Sequence, residues 1–364
     1  MQCCRNGQTV THAGNNKILS SQSDKHHPAE SSRLLKQMST TTDSPDLNSE
    51  QKIPRSGNDK LDGEWSKFKS PKHWHTWLGI SLLWVFSVTP LPLLAGPGKL
   101  MSELVYRLLP RRRHIVSTNI RACFPELREK ELKKLTKKNF YETGKALLSS
   151  GIGWWGSRKR LEKLIKRVGW ENLEGAIQTG RPIIILMSHC VGLEIGGSYL
   201  AGLHPLVNIY RKPRNKLLNA FMRNRRTRWG IGKLIEVSEG LGPAIDKLRE
   251  GHWFYYLPDQ DFGPDHSIFV PFFNIPTATL PVLAPICRAT NAIVLPAFVN
   301  QLPVGKGFEL IIDPPLENFP QGDAVKDTTT MNQATESFIR RYPDQYFWFH
   351  RRFKTRPEGE PDFY

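Results

Sequence analysis

Apolar and polar residues alternate differently along the chain and divide it into four parts. Residues 1–70 are rich in Ser, Thr, Asn, Gln, Asp and Lys without sustained periodicity, which predicts a disordered N-terminal tail. A hydrophobic segment follows at residues 71–100. Residues 101–168 are basic, with a long amphipathic helical pattern from about residue 126 to 148. The remainder, residues 169–364, changes period repeatedly and is typical of a folded domain.

In this last part, short apolar runs alternate with helical stretches. The predicted strands are 182–187, 206–210, 252–257, 292–298 and 308–312. The predicted helices are 194–203, 216–229, 241–250, 279–290 and 331–341. Such alternation favours an α/β domain in which helices cover a sheet.

The hydrophobic segment predicts a membrane anchor. Residues 76–98 hold 23 residues without Asp, Glu, Lys or Arg. A helix of this length crosses about 30 Å of hydrocarbon. Three tryptophans near its start suit a membrane interface, and lysines flank it on both sides. Because Pro90 and Pro92 would break an ideal span, shallow insertion and a buried core helix remain alternatives.

Composition narrows the kind of partner. The 364 residues include 51 Lys and Arg against 34 Asp and Glu, a net charge of +17. This field favours an anionic partner: a phospholipid surface, nucleic acid, an acidic protein or a phosphorylated substrate. Five scattered cysteines argue against a disulfide scaffold and a zinc site, and fit a reducing compartment. A Walker-type phosphate loop and a G-x-S-x-G elbow are absent from the sequence.

The stretch RPIIILMSHCVGLEIGG, residues 181–197, carries the candidate chemistry. His189 follows an apolar strand, and Glu194 comes five residues later at the start of a helix. Within one regular helix these side chains would point about 140° apart, so their contact requires His189 to lie in the loop. A carboxylate on one ring nitrogen would leave the other free to accept a hydroxyl proton. An ordinary loop histidine and a nucleophilic Cys190 are the alternatives.

These residues resemble a known family. His189 and Glu194 are similar to the H-x-x-x-x-(D/E) motif of glycerolipid acyltransferases, and residues from about 70 to 364 resemble the late acyltransferases of bacterial lipid A biosynthesis. The matching stretches are TWLG (76–79), NIRACFPEL (119–127), YRKPRNKLLN (210–219), PDQDFGPDHSIFVPFF (258–273) and YFWFHRRFKTRPEGEPDFY (346–364). The tail and the Leu193–Glu194 pair look closer to the lauroyl-transferring branch than to the myristoyl-transferring one.

The resemblance implies a fold, a reaction and a location. The fold would be an α/β domain with a mixed sheet flanked by helices, behind an N-terminal membrane-anchoring helix. The enzyme would move a fatty acyl chain from acyl carrier protein to a hydroxyacyl group of a Kdo-bearing lipid A precursor. It would do so on the cytoplasmic side of the inner membrane, in lipopolysaccharide biosynthesis. No cofactor or metal would be needed, because the thioester donor carries its own leaving group. His189 would act as general base, oriented by Glu194, with direct attack on the donor.

The same resemblance implies a site for a phosphorylated sugar acceptor. The candidate residues are Arg211, Arg214, Arg223, Arg226, Asp259 and Asp261. Arginine contacts phosphate through two N–H groups, whereas the aspartates could bind sugar hydroxyls or orient the arginines. A solvated helix face for residues 223–228 and a plain turn for residues 258–267 are the competing interpretations.

Other functions fit parts of the sequence. A non-catalytic lipid- or lipopolysaccharide-binding membrane protein would use the same basic residues, and a family member with another chain length, such as myristoyl, would share the motifs. A nucleic-acid binder fits the charge, but the uncharged 23-residue segment and the absence of a nucleic-acid motif in the sequence oppose it. We therefore expect no nucleic-acid partner.

Overall fold

The computed structural model describes residues 65–229, 232–303 and 305–364. The predicted N-terminal tail lies outside these residues except for its last six. Within them, nine strands form one seven-stranded sheet and one hairpin. The strands are β1 (Ile165–Val168), β2 (Ile183–Met187), β3 (Leu206–Tyr210), β4 (Lys233–Glu236), β5 (Trp253–Tyr256), β6 (Ile268–Phe272), β7 (Ile275–Thr279), β8 (Ile293–Gln301) and β9 (Phe308–Ile312).

The large sheet has the order β1-β9-β8-β2-β5-β3-β4. Its neighbours run parallel except for β8 and β9, which are antiparallel, and β6 pairs with β7 in the separate hairpin. The predicted mixed sheet is therefore confirmed. The five predicted strands are all present, with ends that differ by at most three residues.

Helices flank the sheet, as predicted. They are α1 (Trp74–Val88), α2 (Ala95–Leu108), α3 (Pro110–Cys123), α4 (Glu129–Trp155), α5 (Arg158–Leu164), α6 (Trp170–Gln178), α7 (Leu193–Leu203), α8 (Lys216–Arg226), α9 (Gly242–Arg249), α10 (Leu283–Thr290) and α11 (Ala324–Arg341). Short 3-10 helices occur at Trp65–Phe68, Pro71–His73, Leu91–Leu94 and Val237–Glu239. The predicted helix at 279–290 is shorter than expected, because residue 279 still belongs to β7.

The core lies on both faces of the sheet. All five residues of β2 are buried. Ile183, Ile185 and Met187 pack into one apolar layer with α6 and α7, whereas Ile184 and Leu186 pack into the opposite layer with α9 and α10. This alternation follows the two-residue period of a strand that is covered on both sides. The carboxyl end of β2 is thus held rigidly between two layers.

The hydrophobic segment does not form the continuous anchor expected from the sequence. Helix α1 ends at Val88 and α2 begins at Ala95, with Pro90 and Pro92 between them. Proline lacks the N–H that an uninterrupted helix needs, so the apolar run is divided between two helices. Across the part of the chain that the structure describes, no helix is both long enough and apolar enough to cross a bilayer. The single-helix anchor is therefore corrected to a pair of shorter helices.

Both of these helices pack against α4, which lacks side chains where they approach. A Cβ on Gly144 would collide with Ser102 of α2, and one on Gly151 would lie 2.4 Å from the carbonyl oxygen of Leu83 in α1. The Arg160 guanidinium also donates to the carbonyls of Ser87 and Thr89 at the end of α1. The α1–α2 pair is thereby fixed to α4 and α5.

Candidate active site

His189 and Asp259 meet at the carboxyl edge of the sheet. His189 follows β2 and Asp259 follows β5, and these two strands are parallel neighbours. The carboxyl ends of parallel strands lie at one edge, where α/β proteins place their ligands. The His189 Nδ1 is 2.6 Å from Asp259 Oδ1, and the backbone N–H of His189 donates to Asp259 Oδ2 at 2.8 Å. This two-point contact fixes both the ring and the loop that carries it.

The environment of Asp259 keeps its carboxyl group ionised. The residue is only 2% exposed. Burial by itself raises the pKa of Asp259, but the His189 ring and the N–H donors outweigh this effect and hold the pKa below its usual value. A carboxylate on Nδ1 requires the imidazole proton on that nitrogen. The Nε2 of a neutral His189 is therefore the ring atom that can accept a proton.

Glu194 does not make the contact with His189 that the sequence led us to expect. It lies in the first turn of α7 and His189 lies in the preceding loop, as predicted. Its carboxylate, however, forms an ion pair with Arg226 of α8 and accepts a hydrogen bond from Trp154 Nε1 at 3.0 Å. The expected pairing is corrected because Asp259 occupies Nδ1, while α7 directs the Glu194 carboxylate towards α4 and α8.

The C-terminal tail supports both loops of the site. The Val191 N–H donates to the Gln345 carbonyl at 2.9 Å, and the Phe347 N–H donates to the His189 carbonyl at 2.8 Å. The Tyr346 hydroxyl donates to the Asp259 carbonyl at 3.3 Å. Sequence reasoning identified this tail only as a family match. The structure shows that residues 345–347 bind the His189 loop and the Asp259 loop together.

A cavity of about 730 Å³ opens beside this pair. His189 and Glu194 line it, and much of the remaining wall is apolar. It touches both core layers: Leu193 packs against the layer of α7, whereas Ile209 and Val282 pack against the layer of α9 and α10. A site with a proton acceptor at the edge of an apolar cavity can hold an alkyl chain with its reacting end beside an imidazole.

The surroundings of Cys190 argue against a role as nucleophile. Its side chain is buried. Burial, with a smaller contribution from the nearby Asp259 carboxylate, raises the pKa of the thiol to about 12. The reactive form of cysteine is the thiolate, which is scarce at neutral pH in such surroundings. This favours direct attack by the acceptor over an acyl-cysteine.

The four predicted arginines do not form one cluster. Arg211 and Arg226 line the cavity, although the charge of Arg226 is already paired with Glu194. The Nη1 atom of Arg223 lies 3.7 Å from Glu236 Oε1. The side chain of Arg214 is exposed. Their role in binding a phosphorylated acceptor stays a prediction, and Arg211 is the member best placed to reach a ligand.

The two predicted aspartates have different surroundings. Asp259 faces His189 rather than a solvent-filled sugar site. Asp261 accepts hydrogen bonds from the backbone N–H and the hydroxyl of Thr355, at 2.7 and 2.8 Å, and from the N–H of Gly263 at 2.9 Å. It therefore fastens the loop after β5 to the C-terminal tail. The sequence placed these residues at the site, but it did not assign Asp259 to His189.

The fold and this site define an α/β enzyme with a histidine–aspartate pair beside an apolar cavity. Residues 63–355 match the family model described as bacterial lipid A biosynthesis acyltransferase. The chain belongs to this family and is an acyltransferase.

Relatives from Escherichia coli (strain K12) span most of the chain. The lipid A biosynthesis lauroyltransferase is 34% identical over 81% of this chain and 96% of its own length. The lipid A biosynthesis palmitoleoyltransferase is 31% identical over 82% and 97%, respectively. The lipid A biosynthesis myristoyltransferase is 31% identical over 80% and 91%. Relatives that are named for three different acyl chains are thus about equally similar to this chain in sequence.

Proposed function

We propose that this enzyme transfers a fatty acyl chain from acyl carrier protein to a hydroxyacyl group of a Kdo-bearing lipid A precursor. The observation that carries the proposal is the contact between His189 Nδ1 and the buried Asp259 carboxylate at the edge of the apolar cavity. The family relation supports the lipid A acceptor. The acyl carrier protein as donor follows from the need for an activated thioester.

In the proposed reaction, His189 Nε2 accepts the proton of the acceptor hydroxyl as its oxygen attacks the thioester carbonyl. Asp259 holds the ring in position and stabilises the imidazolium that forms. The tetrahedral intermediate then collapses: the carbon–sulfur bond breaks, the ester bond remains, and the leaving thiolate takes the proton from His189. The proton balance closes without a cofactor.

Glu194 has a different part in this proposal from the one expected from the sequence. Its carboxylate holds the Arg226 guanidinium on the cavity wall, and both side chains are about one-quarter exposed there. A fixed cation at this wall can orient anionic or carbonyl groups of the substrates. Glu194 is thus a positioning residue rather than the partner of the base.

We favour a lauroyl donor among the possible chains. The C-terminal tail and the Leu193–Glu194 pair resemble the lauroyl-transferring branch, and the 34% identical relative carries that name. The depth of the cavity along the acyl chain determines the length that fits, because each buried CH₂ contributes about 0.8 kcal/mol.

Mass spectrometry of lipid A tests the reaction class, the acceptor and the chain together. Cells that lack this protein should make lipid A without one secondary acyl chain, and the missing mass should equal a lauroyl group. Restoring the gene should return the peak, whereas a gene encoding His189→Gln should not. An unchanged lipid A spectrum in the deletion strain would contradict the proposed function.

We also propose that α1 and α2 lie in the surface of the inner membrane on its cytoplasmic side. Large apolar side chains on both helices face outward, and Leu100 is 74% exposed. Helix α3 follows with Arg111, Arg112 and Arg113 in its first turn. Exposed leucines beside basic residues suit shallow insertion into an anionic bilayer.

Vesicle flotation tests this orientation. Exchanging Leu100 and Leu104 for Asp should weaken binding to vesicles with anionic lipid by at least about tenfold, because two leucines that would insert into the bilayer are lost. High salt should not release the unmodified protein, since screening does not weaken hydrophobic insertion. The control is Val325→Asp. Val325 is an exposed apolar residue on a different helix, α11, and this variant should bind the vesicles normally. Release of the unmodified protein by salt alone would overturn the proposal.

A further inference from the structure

Three arginines form a cationic cluster at the junction of α4, α5 and α8. Arg158 is the first residue of α5, Arg225 lies in the last turn of α8, and Arg228 follows that helix. The Cζ atoms of Arg158 and Arg228 lie 5.1 and 3.9 Å from the ring centroid of Trp229. The shared indole ring brings the two guanidinium groups to one place.

Nothing anionic in the described ranges neutralises this cluster. There, Arg158, Arg225 and Arg228 form no ion pair with a carboxylate. Arg225 binds the neutral side chain of Asn224, and Arg228 donates to the Gly156 carbonyl at 2.6 Å.

The environment of Arg228 also favours an anion. Its Nε is buried and has no hydrogen-bond partner among the described residues. Burial, together with the charges of Arg225 and Arg158, lowers the pKa of Arg228 to about 10. An arriving anion would relieve this repulsion and satisfy the free N–H group.

One member of the cluster, Arg225, reaches the cavity that holds His189. Arg225 and Ser198 both line that cavity. The Arg228 Nη2 lies 3.5 Å from the Ser198 hydroxyl. Ser198 is four residues beyond Glu194 on α7, which corresponds to about 6 Å along the helix axis. A ligand bound by Arg225 would therefore share this cavity with the reacting groups, and Arg228 would lie beside it through Ser198.

We propose that Arg158, Arg225 and Arg228 bind a phosphate group of a substrate while the acyl chain is transferred. The inference rests on the proposed function, which supplies two sources of phosphate: the sugars of the acceptor and the prosthetic arm of the carrier protein. Arginine forks and a hydroxyl group are donors that match phosphate oxygens. Arg225 and Arg228 belong to the arginine-rich run 223–228 noted in the sequence, although the preferred candidates there were Arg211, Arg214, Arg223 and Arg226, and Arg158 was not expected.

Binding of inorganic phosphate tests the site without relying on activity. Arg225→Gln and Arg228→Gln should each weaken binding by about tenfold, measured by phosphorus NMR titration. Lys159→Gln removes one positive charge beside Arg158 from an exposed residue and should bind phosphate normally. Arg228 also contacts the α4–α5 junction, so the Arg225 variant, whose contacts are local, guards against a folding defect. Equal affinities in all four proteins would overturn the proposal.

Kinetics then identify which substrate carries the phosphate. If the acceptor does, removing its phosphate should raise KM about tenfold in the unmodified enzyme and have little further effect in Arg225→Gln. If the donor does, the same pattern should appear with an acyl thioester that lacks the phosphodiester. Additive effects in both series would refute a substrate phosphate at this site. A protein that binds phosphate but transfers no acyl chain would contradict the proposed function and leave the anion site standing.

Discussion

Exchanging His189 for Gln is expected to lower kcat for acyl transfer by about 100- to 10,000-fold, the range that a general base contributes. Glutamine keeps the backbone N–H that binds Asp259, so the loop should remain in place. Its side-chain amide, however, cannot accept the hydroxyl proton as imidazole does. Initial rates with an acyl carrier protein thioester and a lipid A precursor measure the effect.

His204→Gln is the matched control for this variant. His204 lies just after α7, and its Nε2 is 2.8 Å from the Gly251 carbonyl, away from the reacting groups. The same chemical change there should leave kcat within a few-fold of the unmodified enzyme. If His189→Gln kept a rate within threefold while folding normally, another group would have to be the base.

Asp259→Asn should lower kcat by about 1,000- to 10,000-fold, with KM little changed. The amide of Asn can donate to Nδ1, which favours the tautomer with its proton on Nε2 and blocks proton acceptance. An Asp-to-Asn exchange at a serine-protease triad has this physical basis and a loss of about 10⁴. The KM should stay nearly the same because Asp259 is buried behind the His189 ring and does not line the cavity.

Two variants separate this explanation from others. Asp261→Asn makes the same exchange two residues away, where the carboxylate fastens Thr355 rather than His189. The main effect of Asp261→Asn should be a lower melting temperature, with only a small change in kcat. Glu194→Gln should disturb Arg226 and substrate binding without changing the His189 tautomer. A normal rate in Asp259→Asn would remove Asp259 from the mechanism.

The interior of the fold could be predicted from the sequence, but its edges could not. Strand β2 is a continuous buried apolar run and β3 is apolar except for Asn208, and their predicted positions agree with the structure to within one residue. Strands β1 and β4, with sequences IKRV and KLIE, carry charged residues and lie at the two ends of the sheet. One face of an edge strand meets solvent, so its composition resembles that of a loop.

The site was predicted in part for a related reason. The H-x-x-x-x-E spacing places His189 and Glu194 near each other in the chain, and it placed both correctly in a loop and a first helical turn. The partner of His189 is 70 residues away, because β5 lies beside β2 although β3 and β4 come between them in sequence. Strand order depends on tertiary packing, which local spacing does not contain.

The hydrophobic segment shows where a prediction from apolar composition alone fails. Its 23 uncharged residues satisfy the length of a membrane span, but length assumes one unbroken helix. Pro90 and Pro92 divide the run, and α4 packs against both halves. Backbone chemistry at two residues therefore outweighs the apolar composition of the segment.

Nitrogen NMR of the His189 ring most directly tests whether Asp259 prepares the base. In protein labelled with ¹⁵N-histidine, with the signal assigned by its loss in His189→Gln, the neutral ring should carry its proton on Nδ1 and none on Nε2. Glu194→Gln should leave this pattern intact, and Asp259→Asn should reverse it. A neutral ring with its proton on Nε2 in the unmodified enzyme, or a reversal caused by Glu194→Gln alone, would contradict the account.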